Sequence, residues 1–323
     1  MWLPVCVGAF VLWGVSFMKR LLVNDALNQL GEHTFWNDLQ EWFGMEFVGG
    51  DYATLAAKAK DAAKDASLIV RNATWFPPIE ADVPTISLLQ DIIADGPQRE
   101  MQEAVIATSR LTVFNSRFTA SHYNTMDAPV IPLPVNFSLF EPGNPMGLQQ
   151  ELSLPSGCVC WVGASQGAAG HVKGWDIFLK VVRANPDIPF VAVFKDAAPE
   201  YGPPNLRMFA RLTQAELAKV MGACAVGLCT SRTESQHLAG IEMGACGLTM
   251  VAPNVGIYWK GNISGVEVLE PTVPNYTAAV RAMLVSRPDS QHAREFWQKQ
   301  CDKPVIKAAW TKLVEEVECS GAS

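Results

Sequence analysis

Two glutamates eight positions apart, Glu234 and Glu242, are of a type that could grip a ligand's paired hydroxyls, although the spacing alone equally fits two solvated acids on a helix. Ionised carboxylates are pure acceptors with several lone-pair sites each, and so suit the gripping of paired hydroxyls. Carried on one helix, they would stand two turns, roughly 12 Å, apart along its axis. A third candidate, Lys173, opens the run Lys173-Gly174-Trp175-Asp176. A lysine at a helix start meets the positive end of the dipole, a placement that makes sense if an anion is bound beside it.

The elements that must position the carboxylates form a strand, loop, helix, strand unit. Residues 225–229 and 248–252 are short apolar runs, and between them lies Ser231-Arg-Thr-Glu-Ser-Gln-His-Leu-Ala-Gly-Ile-Glu-Met-Gly-Ala-Cys-Gly247. The pattern predicts a helix from about Ser235 or Gln236 that stops at Gly247, a good residue just past a helix end. Its free N–H groups and dipole offer a seat for phosphate. A second unit precedes it: an apolar strand over 158–163, a glycine-containing loop over 164–172, and a helix from Lys173 to about Arg183.

Ser231-x-x-Glu234-Ser235-x-x-Leu238, the seven residues between Glu234 and Glu242, and the closing Gly244-Ala-Cys-Gly247 resemble the signature of glycosyltransferase family 4, the group 1 glycosyltransferases. The resemblance covers residues 111–317 well and the first 110 in outline. It implies an α/β fold of the GT-B type, two Rossmann-like domains facing across a cleft. It also implies sugar transfer from a nucleoside diphosphate sugar, a UDP- or GDP-sugar, to an acceptor hydroxyl, with retention and without a metal. By the same resemblance Glu234 contacts the donor sugar and Glu242 the ribose. The helix start at Ser235, Gln236, His237 and Leu238 meets the diphosphate, as does Lys173, and Gly163 and Ser165 belong to the donor loop.

Two positions depart from the family pattern. Where an Arg is expected shortly after Gly163 the chain has Ser165, and Arg232 or His171 are candidates to replace that cation. Where His-Asp is expected after the strand over 85–89, the chain has Gln90-Asp91. Asp91 is either a catalytic group at a strand's C-terminal edge, where ligands gather in open α/β sheets, or the N-cap of the next helix. In the first loop Gly14 and Ser16 are acceptor-side candidates, or simply a turn. His122 on a helix is a base or a structural residue.

Composition bounds these readings. The chain has 323 residues, 49% apolar and 18% charged, enough for two globular domains. Residues 1–145 carry nine basic and sixteen acidic side chains, a net of −7, and residues 146–323 carry sixteen of each. That balance gives no support to extended nucleic-acid binding. The eight cysteines form no CxxC and no zinc spacing, which points to reduced thiols in a cytoplasmic setting. No Asp-x-Asp motif suggests a metal, and no cofactor is implied beyond the nucleotide sugar as co-substrate. Residues 2–17 are uncharged but short of the roughly 20 needed to span a bilayer, so a buried strand over 3–9 is expected in place of an anchor.

The expected chain order is therefore an acceptor-side domain over 1–145, a nucleotide-sugar domain over 146–303, and a final helix over 304–323 packing back on the first domain. In the first domain helices are expected over 18–30, 54–66 with Thr54 as N-cap, and 98–108. The aromatics Phe35, Trp36, Trp42, Phe43 and Phe47 are either core or an acceptor-facing platform. Alternatives to transfer are a nucleotide-sugar-binding protein without activity, a transferase acting on modified nucleic-acid bases, and a sugar-phosphate epimerase of similar build.

Overall fold

The computed structural model describes residues 19–25, 33–74, 76–286 and 290–321. The expected strand over 3–9 and the candidates Gly14 and Ser16 lie outside them.

The first half runs β1 (Lys19–Val23), α1 (His33–Phe43), β2 (Glu46–Val48), α2 (Tyr52–Ala62), β3 (Ala66–Asn72), β4 (Thr85–Leu89), α3 (Pro97–Thr108), β5 (Leu111–Phe114) and α4 (Arg117–His122). The second half runs α5 (Pro145–Leu152), β6 (Val159–Gly163), α6 (Gly167–Val172), α7 (Trp175–Ala184), β7 (Phe190–Phe194), β8 (Leu206–Ala210), α8 (Gln214–Gly222), β9 (Val226–Leu228), α9 (Leu238–Ala245), β10 (Thr249–Pro253), β11 (Val266–Leu269), α10 (Val273–Ser286), α11 (Ser290–Cys301) and α12 (Lys303–Gly321). Each half makes one parallel sheet, in the order β2-β1-β3-β4-β5 and β11-β10-β9-β6-β7-β8.

Parallel sheets covered on both faces need strands that are apolar throughout. The central strands obey this: Leu21, Leu22 and Val23 of β1 and all five residues of β7 are buried. This is also why the helix expected over 18–30 is, over 19–23, a strand. Consecutive apolar residues buried on both faces of a sheet carry no period, so Leu21 and Leu22 equally fit one side of a helix. Asp51, not Thr54, caps α2, its carboxylate accepting from the Thr54 N–H at 3.0 Å. The loop expected over 164–172 contains the short helix α6. The half-exposed edge strand β8 had no place in the sequence reading.

Phe35 and Trp36 are core residues, packed with Leu22, Leu68, Val70 and Leu88. Onto the same cluster α12 lays Ile306, Trp310, Leu313, Val314 and Val317. Two ion pairs fasten that helix to the first sheet and α1. Arg20 donates to both oxygens of Glu318 at 2.8 Å, and Lys303 donates to Asp38 at 2.8 Å. The seven described cysteines are free thiols, all buried except Cys319. Among the described residues no helix is long and apolar enough to cross a membrane.

Candidate functional site

In the second sheet the chain winds outward from β6 to β7 and β8, then returns to lay β9 on the other side of β6. Ligands of open α/β sheets bind beyond the strand ends at such a reversal. The loops leaving β6 and β9 carry Lys173 and Glu234, and a cleft of about 930 Å³ opens there.

The two loops are locked together from below. Trp161 of β6 packs on Phe178 and Trp175 at ring distances of 5.0 and 5.2 Å, and its indole N–H donates to the Thr230 hydroxyl at 3.0 Å. That hydroxyl lies 3.1 Å from the carbonyls of both Lys173 and Gly174. A side chain at position 174 would put a Cβ 1.9 Å from the Thr230 carbonyl oxygen, and the φ there is +68°. Only glycine meets both conditions, which gives the Lys-Gly pair a physical reason.

Above this brace Lys173 Nζ donates to both oxygens of Glu234 at 2.7 and 2.9 Å, and Ser231 Oγ donates to Glu234 at 2.7 Å. The Glu234 side chain is 7% exposed and that of Lys173 34%. Burial pushes the Glu234 pKa up, but the opposing pull of Lys173, aided by His237 and hydrogen bonds, leaves it below the usual carboxylate range. Burial likewise opposes the charge on Lys173, and Glu234 outweighs it, so the lysine pKa is raised. Both groups are ionised at neutral pH, and a buried pair held this way depends on each partner.

His237, at the start of α9, has a left-handed backbone with φ of 73°, uncommon for a residue other than glycine. Its Nδ1 lies 2.8 Å from the Tyr258 hydroxyl, and burial, partly offset by Glu234, pushes its pKa down to about 4. The ring is therefore neutral. A ring nitrogen of His237, a Glu234 oxygen and Cys229 Sγ lie within 4.8 Å of one another, all on buried residues. Burial raises the Cys229 pKa to about 12, which keeps that thiol protonated. Glu234 is already engaged by Lys173, so the ammonium supplies the positive charge at this spot.

One turn into α9, Glu242 faces the same cleft. Its carboxylate makes no hydrogen bond or ion pair with the described residues, and burial raises its pKa to about 7. A half-buried carboxyl without a protein partner is a group still waiting for donors. The N–H groups at the start of α9 have no partners within the helix, and Leu238 and Ala239 lie on the cleft wall.

The first half reaches over this loop. Ser116 and Thr119 hydroxyls donate to the Ser235 carbonyl, the second at 3.2 Å. The Gln236 amide pairs with the Leu133 backbone in both directions, at 2.8 and 3.0 Å. The side chain of Gln236 is thus spent on joining the halves. Asp91 and Asn115 complete the first-half wall with Ile92 and Leu133.

Of the residues singled out from sequence, Lys173, Glu234, Glu242, Ser235, Gln236, His237, Leu238, Gly163 and Asp91 all line the cleft. Asp91 does not cap the next helix, which starts at Pro97 behind Gly96. Ser165 does not line it, and its hydroxyl is buried without a hydrogen-bond partner among the described residues. Arg232 is a correction. Its guanidinium grips both oxygens of Asp176 at 2.8 and 2.9 Å and the His171 carbonyl at 2.7 Å, and it lines a separate cavity of about 400 Å³. Arg232 and the exposed His171 therefore do not replace the missing cation in the cleft. His122 is also exposed and off the cleft, its Nδ1 on the Phe118 carbonyl at 2.8 Å. Missing from the sequence reading are Lys195 and Arg211, each the first residue past a strand of the second sheet. That position at the C-terminal edge was the signal available.

Two facing parallel sheets with a donor-type loop and helix define the class: the fold is GT-B. Among solved structures the chain is similar to Anabaena HepE in complex with UDP, with a TM-score of 0.74, 15% identity, and coverage of 93% of this chain and 100% of that one. It is also similar to sucrose-phosphate synthase from Thermosynechococcus elongatus, with a TM-score of 0.71 and 16% identity over 83% of this chain and 78% of that one. No family model matches. In sequence the chain is 29% identical over 252 residues to a D-inositol 3-phosphate glycosyltransferase of Segniliparus rotundus, covering 69% of this chain. It spans about half, 52%, of that relative's length. The resemblance to glycosyltransferases read from Glu234, Glu242 and their surroundings is borne out.

Proposed function

We propose that the chain transfers a sugar from a nucleoside diphosphate sugar to an acceptor hydroxyl, with retention and without a metal. The observation that carries this reading is the Lys173–Glu234 pair beside the start of α9, with Glu242 on the same wall. The glycosyltransferase activity of the Segniliparus relative and the UDP held by HepE support it.

As the glycosidic bond breaks, negative charge grows on the departing diphosphate. Donors fixed beforehand where that charge develops lower the barrier. Lys173 has a third N–H left after its two bonds to Glu234, and the first amides of α9 add theirs. Glu234, ionised and held from behind by Ser231, orients the sugar hydroxyls. Glu242 accepts from the ribose hydroxyls. In a retaining, front-face course the leaving phosphate oxygen takes the proton of the attacking acceptor hydroxyl on the face it is leaving. Asp91, across the cleft, orients that hydroxyl.

The test is incubation with UDP-, GDP- and ADP-glucose and a panel of alcohols and sugars, following nucleotide release and product anomeric configuration by NMR, with and without EDTA. Glycoside formation with retention, insensitive to EDTA, is expected. Donor binding with neither hydrolysis nor transfer across the panel would make the chain a nucleotide-sugar-binding protein instead.

A further inference from the structure

Among the described residues three basic side chains line the cleft, Lys173, Lys195 and Arg211, and they are not equally available. Lys173 spends two N–H groups and its charge on Glu234, so that pair is neutral as a unit. Arg211 is tied to the neighbouring loop that leaves β7, its Nε donating to the Asp196 carbonyl at 3.2 Å. Lys195 is exposed on the cleft wall and makes no hydrogen bond or ion pair with another described residue.

Strand register locates these groups. Gly163, the last residue of β6, is paired with Phe194, the last of β7, and Phe194 in turn with Ala210 of β8. A Cβ built at Gly163 would stand 3.2 Å from the Lys173 Cβ. Lys173 and Lys195 therefore flank the exits of two adjacent strands, which in a sheet are about 4.8 Å apart. Arg211 leaves one strand further out. Glu234, the candidate sugar ligand, lies on the Lys173 side, and β7 with β8 lies on the other. The cleft continues past β8 to Leu212, Gln214 and Leu217, so a donor laid from Glu234 toward that end passes Lys173 first and Lys195 second.

We propose that Lys195 is the cation for the nucleoside-side phosphate of the donor, with Lys173 at the sugar-side phosphate. This rests on the nucleotide-sugar reading above. A diphosphate bears more than one negative charge, and the neutral Lys173–Glu234 pair cannot balance it. Lys195 brings the uncommitted charge. It enters from β7, a different strand from the one whose loop carries Ser165.

Titration calorimetry with UDP, UMP and uridine, repeated with the GDP and ADP series, tests this on the wild type, Lys195→Ala and Lys195→Gln. Loss of one charge-assisted contact lowers affinity by about tenfold or more. Both variants should therefore weaken UDP and UMP alike, leave uridine unchanged, and lower the salt dependence of UDP binding. Because Lys195 is exposed and unbonded, their melting temperatures should match wild type. Wild-type binding that both variants leave intact overturns the proposal, as does an equal loss for uridine. A loss for UDP with UMP untouched overturns the placement. A wild type that binds none of the diphosphates overturns this proposal together with the transferase reading.

Discussion

The second sheet brings Lys173, Lys195, Arg211, Glu234 and Glu242 to the cleft, whereas the first half brings Asp91, Ile92, Asn115 and Leu133. None of the nine basic residues in the first 145 lines it among the described residues. The contrast is one of construction as well as charge. On the second wall Lys173 and Glu234 sit over a brace of Trp161, Thr230 and Gly174 and are half or wholly buried, while Lys195 and Arg211 stand exposed. On the first wall Asn115 Nδ2 donates to the Gln90 carbonyl at 3.0 Å and the Tyr123 hydroxyl to the Asp91 backbone carbonyl at 3.3 Å, while the Asp91 charge acts on Lys173. Parallel sheets offer their C-terminal edges impartially. What differs is where the cations stand: among the described residues the two lysines and the arginine that line the cleft all leave the second sheet.

The largest expected effect therefore belongs to the second wall. On the proposed function, Lys173→Ala removes a donor to the leaving diphosphate and should lower turnover by about 10²–10³-fold, the range for one such charge-stabilising group. It also leaves Glu234 buried and unpaired. Removing one partner of a buried pair costs about 3–5 kcal/mol, less here because Lys173 is 34% exposed. A drop in melting temperature should thus accompany the loss of turnover. Unchanged turnover, measured under conditions where the variant is folded, would erase the difference between the walls. A smaller effect is expected on the first wall. Asp91→Asn should lower transfer by about tenfold, the order of one lost hydrogen bond to a charged acceptor, while donor affinity and donor hydrolysis stay unchanged. If donor affinity falls instead, Asp91 acts on the donor, a route left open by its charge, which acts on Lys173.

The comparison also explains how far the sequence could be read. The β9–α9–β10 unit was legible because its strands, its glycine stop and its two carboxylates lie within one short stretch, where local rules decide the outcome. Gly247 indeed takes a positive φ of 85° past α9. What needed the third dimension was pairing between distant segments. Nothing in the chain marks Lys173 as the partner of Glu234, or Gln236 as the residue that clasps Leu133. Arg232 was misplaced for the same reason. Two residues from Glu234 in sequence, it leaves the loop on the opposite side, toward Asp176. Lys195 has no period and no motif, only its place one residue beyond a buried strand. β1 was missed because an apolar run buried on both faces is the pattern that periodicity cannot separate from a helix.

Glu242 gives the smallest expected effect on activity and the sharpest test of the second wall, because its two consequences have opposite signs. Its folded pKa of about 7 stands above the ordinary 4.5. The protonated form is thus favoured by folding, and the associated stability is complete below pH 4.5 and lost as pH rises to 7 and beyond. Glu242→Gln should accordingly raise the melting temperature at pH 8 and leave it nearly unchanged at pH 4.5. Nucleotide affinity should run the other way. In wild type, with the proposed ribose contact, the carboxylate becomes a stronger acceptor as it ionises, so affinity should rise several-fold between pH 6 and 8, by about 1 kcal/mol, the gap between neutral and charged hydrogen bonds. In the glutamine variant that rise should vanish. A residue that destabilises the fold at the pH where it binds ligand best is kept for the ligand. Were the variant less stable at pH 8, or were its affinity profile to keep the wild-type slope, Glu242 would be one more buried acid of the helix, and the second wall would lose its hold on the ribose.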